Sequence, residues 1–285
     1  MIDFTVDLRS PRVGGGVILQ EELPRIFTDA KSVVVLVHGY AVDSDHATGE
    51  YESFVRSLID STGLDRLPST MKVIGVTWPG SDERILINAA SFPSRVAAAE
   101  HSGERLLQLV QSLGARSVIL VGHSLGCRVV LRALTAARAQ GADVISLAYL
   151  MAAAVPESHC EATGEFGADR MPEARQVVAS SRHDVVLAGV FRLAMPFARS
   201  GGGPAVGYTG GPVGRWDEES ARLTLGHTKY WRSPKAPQHL AKVLGIAGIR
   251  DVPTAVPRER PVLGGAIARA ERRPRARHVR SGSVR

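Results

Sequence analysis

The amino-acid sequence predicts an α/β fold with a mostly parallel central sheet and helices on both faces. Short runs of branched apolar residues alternate with longer segments of helical periodicity, which is the pattern of a parallel sheet. The apolar runs are nearly continuous, as expected for strands that are covered on both faces. One of these runs leads into a serine between two glycines, and a helical segment follows it directly.

The strand candidates are runs rich in valine, isoleucine and leucine. Two less regular runs precede five stronger ones, and a last short strand is expected near the C-terminal end of the domain. In chain order the candidates are residues 3–8, 17–20, 32–37, 72–77, 117–121, 144–151, 175–180 and 219–225.

The helix candidates lie between these strands and have apolar residues at helical spacing. In chain order they are residues 48–60, 94–113, 125–140, 184–197 and 236–246. The glycine- and proline-rich segment 200–214 has the composition of a loop. Together these elements predict one domain over residues 1–257.

The net charge of +7 is confined to the C-terminal end of the sequence. Residues 258–285 contain nine arginines and two glutamates, so the residues before them have no net charge. Few apolar residues, and prolines that interrupt a helix, predict a disordered tail. We expect this tail to be solvated, without a specific nucleic-acid partner; the alternative is a weak contact with an anionic surface.

Cysteine usage and hydropathy predict a cytoplasmic protein without a transmembrane segment. Cys127 and Cys160 cannot form a disulfide framework and lack metal-type spacing. The N-terminus has no basic head followed by an apolar run, so no secretory signal is expected. The longest apolar stretch, 144–155, is too short to cross a bilayer.

The segment Gly122-His123-Ser124-Leu125-Gly126 predicts a nucleophile. It follows the strand at 117–121 and opens the helix at 125–140, which is the strand-turn-helix setting of a nucleophile elbow. Glycines two residues away on each side leave room for a sharp turn with strained backbone angles. The alternative is that Ser124 only caps its helix; the context favours the nucleophile.

A serine hydroxyl needs a general base, and the base needs an orienting acceptor. Of the nine histidines, His227 is preferred, because it ends a strand-like run in a turn of small residues. For the acceptor we prefer Asp184, which follows the end of the strand at 175–180. A cap for the next helix is the alternative role for this carboxylate. The alternative acids lie shortly before the histidine and are Asp217, Glu218 and Glu219.

The negative oxygen that forms during attack needs two N–H donors, an oxyanion hole. Leu125 would supply the first from the start of its helix. The strand at 32–37 leads into His38-Gly39-Tyr40-Ala41, where the glycine lets the backbone turn toward the serine. We expect the second donor from Tyr40, with Ala41 as the alternative donor and a plain glycine turn as the alternative interpretation.

With HGY after a strand, GHSLG between strand and helix, and Asp184 and His227 following in that order, the sequence resembles the α/β-hydrolase superfamily over nearly all of residues 17–246. The segment Thr77-Trp78-Pro79-Gly80 resembles a feature of an uncharacterised branch of bacterial serine hydrolases. The resemblance implies that Trp78, with Gly39 and His123, lines the substrate site; a core position is the alternative for the tryptophan. It also implies an acyl-enzyme route without a cofactor or metal.

One departure from that superfamily concerns the cap domain. Many relatives insert a helical cap after the strand that ends near Met151, whereas here about 23 residues, 152–174, intervene before the next strand. We therefore expect little or no cap. The site would then be open to solvent on that side, unless the helix at 184–197 and the loop at 200–214 cover it. The candidates for an acyl pocket, or alternatively for the core, are three residues of this predicted helix: Phe191, Met195 and Phe197.

These features favour one function over two alternatives. We expect a serine hydrolase, esterase- or lipase-like, that cleaves a small-molecule carboxylic ester or thioester. An acyltransferase would use the same acyl-enzyme with an alcohol or amine as acceptor. A noncatalytic binding module of the same fold would have no reason to keep Ser124, His227 and Asp184 together, which argues against it.

Overall fold

The computed structural model describes residues 1–8, 27, 29–40, 44–80, 92–167, 174–191 and 203–246. Its strands are β1 (Phe4–Asp7), β2 (Ser32–Val37), β3 (Met71–Thr77), β4 (Ser117–His123), β5 (Ile145–Met151), β6 (Arg175–Ser180) and β7 (Ala221–Arg222). They form one sheet in the order β1-β3-β2-β4-β5-β6-β7, and all neighbours are parallel. The predicted fold class is confirmed.

Helices cover both faces of this sheet. They are α1 (Ser44–Thr62), α2 (Phe92–Ser112), α3 (Gly126–Ala139), α4 (Glu157–Cys160), α5 (Val206–Thr209) and α6 (Lys235–Leu244). The steps from β2 to β3 and from β3 to β4 run in opposite directions across the sheet. Right-handed crossovers therefore put α1 on one face and α2 on the other. In the structure α1 packs against α6, and α2 packs against α3.

The register of the sheet brings the carboxyl ends of the central strands to one level. Val37 at the end of β2 pairs with Gly122 of β4, and Gly122 pairs with Leu150 of β5. Met151 then pairs with Ala179 of β6. The strand order reverses beside β2 and β4, and this leaves a crevice outside their carboxyl ends, where open α/β sheets bind ligands.

The elements after β6 differ from the predicted ones. The strand predicted at 219–225 is reduced to the two residues of β7, because Leu225 bonds to the side chain of Ser181 instead of continuing the ladder. The predicted loop at 200–214 contains α5. The described part of the helix predicted at 184–197 ends at residue 191 and includes a π-helical turn, Val186–Val190.

The segment 203–210, with α5 inside it, lies across the carboxyl ends of β5 and β6. Gly207 donates its N–H to the carbonyl of Ala153 (2.9 Å) and accepts from the N–H of Ser181 (2.8 Å). An added Cβ at Gly207 would lie 2.1 Å from the backbone nitrogen of Ala153. Only glycine allows this close approach, so the segment packs directly against the loops that follow β5 and β6.

Some predictions lie outside the described residues and stay predictions. These are the strand at 17–20, the tail at 258–285 and the domain boundary between residues 257 and 258. Met1–Arg250 form one compact unit. In the part of the chain that the structure describes, no helix combines the length and hydropathy needed to span a bilayer.

Candidate active site

A sharp turn after β4 presents Ser124 at the carboxyl edge of the sheet. Ser124 has a φ of 52°, which is strained for a residue with a side chain. An added Cβ at Gly126 would lie 2.3 Å from the carbonyl oxygen of His38, and one at Gly122 would lie 3.0 Å from Cα of Cys127. The two glycines therefore let the turn pack against the end of β2 and the start of α3.

His227 brings its imidazole between Ser124 and Asp184. Its Nε2 lies 2.9 Å from Oγ of Ser124, and its Nδ1 lies 2.7 Å from Oδ2 of Asp184. The three residues are far apart in the chain, but each follows the carboxyl end of a strand or the turn after β7. The structure thus joins the predicted nucleophile, base and acid in one continuous hydrogen-bonded relay.

Both predicted interpretations of Asp184 correspond to contacts in the structure. The side chain is fully buried. While Oδ2 faces His227, Oδ1 accepts the backbone N–H of Leu187 at 2.9 Å. One carboxylate therefore caps the turn that follows β6 and also orients the imidazole.

The alternative acids lie at the opposite end of β6. Asp217 accepts the backbone N–H of Gln176, near the start of the strand, and Glu219 forms an ion pair with the first residue of the strand. Glu218 between them is exposed. At about 3.3 Å per residue, the length of β6 separates these carboxylates from the edge that holds His227. They cannot orient its ring in this arrangement.

His123 contacts the backbone of the candidate base. Its Nε2 lies 2.8 Å from the carbonyl oxygen of His227, and the two ring centroids are 5.1 Å apart. The ring is 5% exposed. Burial, and the nearby ring of His227, lower the pKa of His123 to about 3. The resemblance implied a substrate contact for His123. In the structure its ring instead contacts the backbone of the turn that follows β7.

The loop after β2 packs directly on the nucleophile. An added Cβ at Gly39 would lie 2.8 Å from Cβ of Ser124. Tyr40 follows at the next position and is half-buried. Leu125 follows the serine at the N-terminal end of α3, where backbone N–H groups lack intrahelical acceptors. The two backbone segments predicted to supply the oxyanion donors are therefore neighbours; Ala41 lies outside the described residues.

Trp78 supports the turn at His38 and Gly39 through two hydrogen bonds to His38. Its Nε1–H donates to the carbonyl of His38 (2.9 Å), and its backbone N–H donates to Nε2 of the same residue (3.3 Å). The His38 ring stacks on the indole, with centroids 5.8 Å apart, and its Nδ1 lies 2.7 Å from the carbonyl of Gly39. The tryptophan is 1% exposed, so it occupies the alternative, core position and acts on the loop rather than on bound substrate.

Sequence reasoning missed this support around His38. Its backbone N–H donates to the hydroxyl of Tyr51, and that hydroxyl donates to the carbonyl of Val76. A signal was present, because a histidine that directly follows a strand predicted to be fully buried needs polar partners. Which residues supply them depends on α1 and β3, whose packing no local pattern specifies.

The structure leaves the predicted acyl pocket only partly described. Phe191 is 3% exposed and belongs to the core, while Met195 and Phe197 lie outside the described residues. A cavity of about 280 Å³ opens beside β6 and β7, but Ser124 and its partners do not line it. Among the described residues, no group of three or more His, Cys, Asp and Glu side chains is placed to hold a metal ion.

Comparison with known proteins gives the family. No curated protein sequence matches the chain. Similar solved structures include a hyperthermophilic esterase from the archaeon Pyrobaculum calidifontis (16% identity, TM-score 0.42, covering 77% of each chain). Others are a fungal esterase from Rhizomucor miehei (13%, 0.43, covering 76% of this chain and 73% of that chain) and a thermostable esterase from Pseudomonas putida (12%, 0.41, covering 78% and 76%). A family model described as alpha/beta hydrolase family matches residues 34–281. The chain therefore belongs to the alpha/beta hydrolase family.

Proposed function

We propose that this protein is a serine hydrolase that cleaves a small-molecule carboxylic ester or thioester through a covalent acyl-enzyme. The observation that carries the proposal is the relay from Ser124 through His227 to Asp184, with contacts of 2.9 and 2.7 Å. A nucleophile within hydrogen-bond reach of a base, which is itself held by a buried carboxylate, is the arrangement that activates a hydroxyl at neutral pH.

In the first half-reaction Oγ of Ser124 attacks the carbonyl carbon while Nε2 of His227 takes the hydroxyl proton. The bond from carbon to the leaving oxygen or sulfur then breaks, and His227 returns the proton to the departing alcohol or thiol. In the second half-reaction water attacks the acyl-enzyme through the same proton transfers, so the acid leaves and the serine is restored. Asp184 stabilises the imidazolium that forms in each half.

The backbone around the serine supports stabilisation of the tetrahedral oxygen. The N–H of Leu125 at the start of α3 and the N–H of Tyr40 after Gly39 are the proposed donors. Loss of one such donor costs on the order of a hundredfold to a thousandfold in rate, or about 2.7–4 kcal/mol. The support beneath Gly39 therefore matters for catalysis, because a displaced loop would remove one donor.

Labelling with a fluorophosphonate probe tests the proposal. The probe forms a covalent bond with an activated serine, so we expect stoichiometric labelling of the wild type and none of Ser124→Ala. Ser180→Ala is the matched control, because Ser180 is also buried at the end of a strand but is not part of the relay. This control should label at the wild-type rate and hydrolyse p-nitrophenyl esters. An unlabelled, folded wild type would refute the proposed function.

A further inference from the structure

We propose that His123 is a positioning residue that fixes the backbone of His227 at the distance needed for proton transfer with Ser124. The inference rests on the proposed function and adds a residue to that site. His123 has no place in the proton relay itself. It acts by holding the backbone of His227, the proposed base, in place.

The hydrogen bond from His123 connects the nucleophile Ser124 to the base His227 through one intervening residue. Nε2 of His123 lies 2.8 Å from the carbonyl oxygen of His227, and His123 is bonded through a single peptide link to the nucleophile. Asp184 fixes the far end of the imidazole at Nδ1. The ring of His227 is therefore located from two directions, at its backbone by the nucleophile elbow and at its edge by the buried carboxylate.

The contact also fixes which nitrogen of His123 carries a proton. A carbonyl oxygen can only accept, so Nε2 must be the donor; Nδ1 then holds the lone pair in a neutral ring or a second proton in an imidazolium. Nδ1 is buried and has no hydrogen-bond partner among the described residues. An added Cβ at Gly39 would lie 3.1 Å from it, so the loop after β2 bounds the space beside this nitrogen. A second proton on Nδ1 would have no acceptor there, so the ring is held neutral.

Neutrality matters because His227 becomes positively charged in each half-reaction. The groups that face the His123 ring are the imidazoles of His227 and His38, together with the rings of Tyr230 and Trp231 at centroid distances of 5.8 and 5.7 Å. A second positive charge 5.1 Å from His227 would oppose proton transfer. A neutral N–H donor holds the backbone of the base without this penalty.

Two substitutions separate the hydrogen bond from the volume of the ring. His123→Gln keeps an N–H donor near the position of Nε2, whereas His123→Phe keeps a ring and removes the donor. Misplacement of a catalytic group by about 1 Å costs on the order of a hundredfold. We expect the Phe variant to lose about tenfold to a hundredfold in fluorophosphonate labelling rate and in kcat, with KM nearly unchanged. The Gln variant should recover to within about threefold of wild type.

Controls distinguish failure of this inference from failure of the proposed function. An unlabelled wild type refutes the proposed function, whatever the variants do. A labelled wild type with a folded Phe variant at full rate refutes the positioning role alone. So does a folded Gln variant that is as slow as the Phe variant. His123→Leu is a second donor-free variant, and it cannot overfill the space between the neighbouring rings.

A measurement on the wild type completes the test without any variant. In protein carrying ¹⁵N-labelled histidine, NMR should assign the proton of His123 to Nε2. The ¹⁵N chemical shifts of His123 should keep the pattern of a neutral ring with its proton on Nε2 between pH 5 and pH 9. A proton on Nδ1, or a titration with a midpoint near pH 6.5, would overturn the inference even if every variant failed to fold.

Discussion

The substitution Asp184→Asn tests how the relay is oriented, because it keeps the shape of the side chain and removes one acceptor. In the wild type Oδ1 accepts from the N–H of Leu187 and Oδ2 accepts from Nδ1 of His227. Asparagine offers one acceptor and one donor group in their place. Since the N–H of Leu187 can only donate, the amide oxygen should remain there. The amide NH₂ then faces Nδ1, and the proton of His227 moves to Nε2, where the ring can no longer accept from Ser124.

The energies of the two amide orientations decide the outcome. Turning the amide the other way would restore the productive imidazole but would set NH₂ against the N–H of Leu187. A buried donor without an acceptor costs about 1–3 kcal/mol, so the unproductive orientation dominates. At 1.36 kcal/mol per factor of ten this preference alone lowers kcat/KM by about 5- to 160-fold. The variant also loses the negative charge that stabilises the imidazolium, so we expect a total fall of about 10³–10⁴, or about 4–5.4 kcal/mol.

Hydrolysis of p-nitrophenyl butyrate and the rate of fluorophosphonate labelling measure this loss. Asp217→Asn is the matched control, because that carboxylate accepts a backbone N–H at the other end of β6. The control should keep nearly full turnover. Full turnover in a folded Asp184→Asn variant, with the loss appearing at Asp217 instead, would refute the assignment of the acid.

The remaining predictions concern stability. An added Cβ at Gly126 would lie 2.3 Å from the carbonyl oxygen of His38, whereas one at Gly49 in α1 would meet nothing within 4 Å. Gly126→Ala should therefore destabilise by about 3 kcal/mol and lower Tm by about 6–12 °C, while Gly49→Ala should stabilise by about 0.5–1 kcal/mol; equal Tm values would contradict the packing of the elbow. The lowered pKa of His123, about 3 against 6.5, means that the unfolded chain takes up a proton below pH 6.5 that the folded chain does not. The free energy of unfolding should then decrease from pH 6.5 toward pH 3 by up to about 1.4 kcal/mol per pH unit. Chemical denaturation of His123→Gln should show a smaller slope, and an unchanged slope would contradict the assignment of this pH dependence to His123.

The fold was predictable because the strands that build it are marked by local composition. A run such as Val33 to Val37 is covered on both faces, so every position is apolar and the run can be read without its neighbours. The shortening of β7 was not predictable in this way. Where a strand leaves the ladder depends on the side chain of Ser181, which captures the N–H of Leu225 from another part of the chain.

The candidate site was predictable to the extent that its residues follow strand ends. Ser124 closely follows one apolar run and Asp184 lies shortly after another, and the carboxyl ends of parallel strands meet at one edge. The supports of the site were not predictable. Trp78 bonds to a residue 40 positions earlier, and His123 bonds to one 104 positions later. From the sequence, the resemblance implied a substrate contact for both, with a core position as the alternative for Trp78. Only the packed structure determines what a buried polar ring contacts.

The order of the relay along the chain has a consequence for synthesis of the protein. Ser124 and His227 are separated by 103 positions and meet only through the folded sheet. A nascent chain that has left the ribosome only as far as residue 191 already contains the hydroxyl of Ser124 and the carboxylate of Asp184 but not the imidazole of His227. Because such a chain lacks the proposed base, we expect it to be unreactive toward esters. We therefore expect reactivity toward a fluorophosphonate to appear only after the turn at residues 227–229 has docked on the folded sheet.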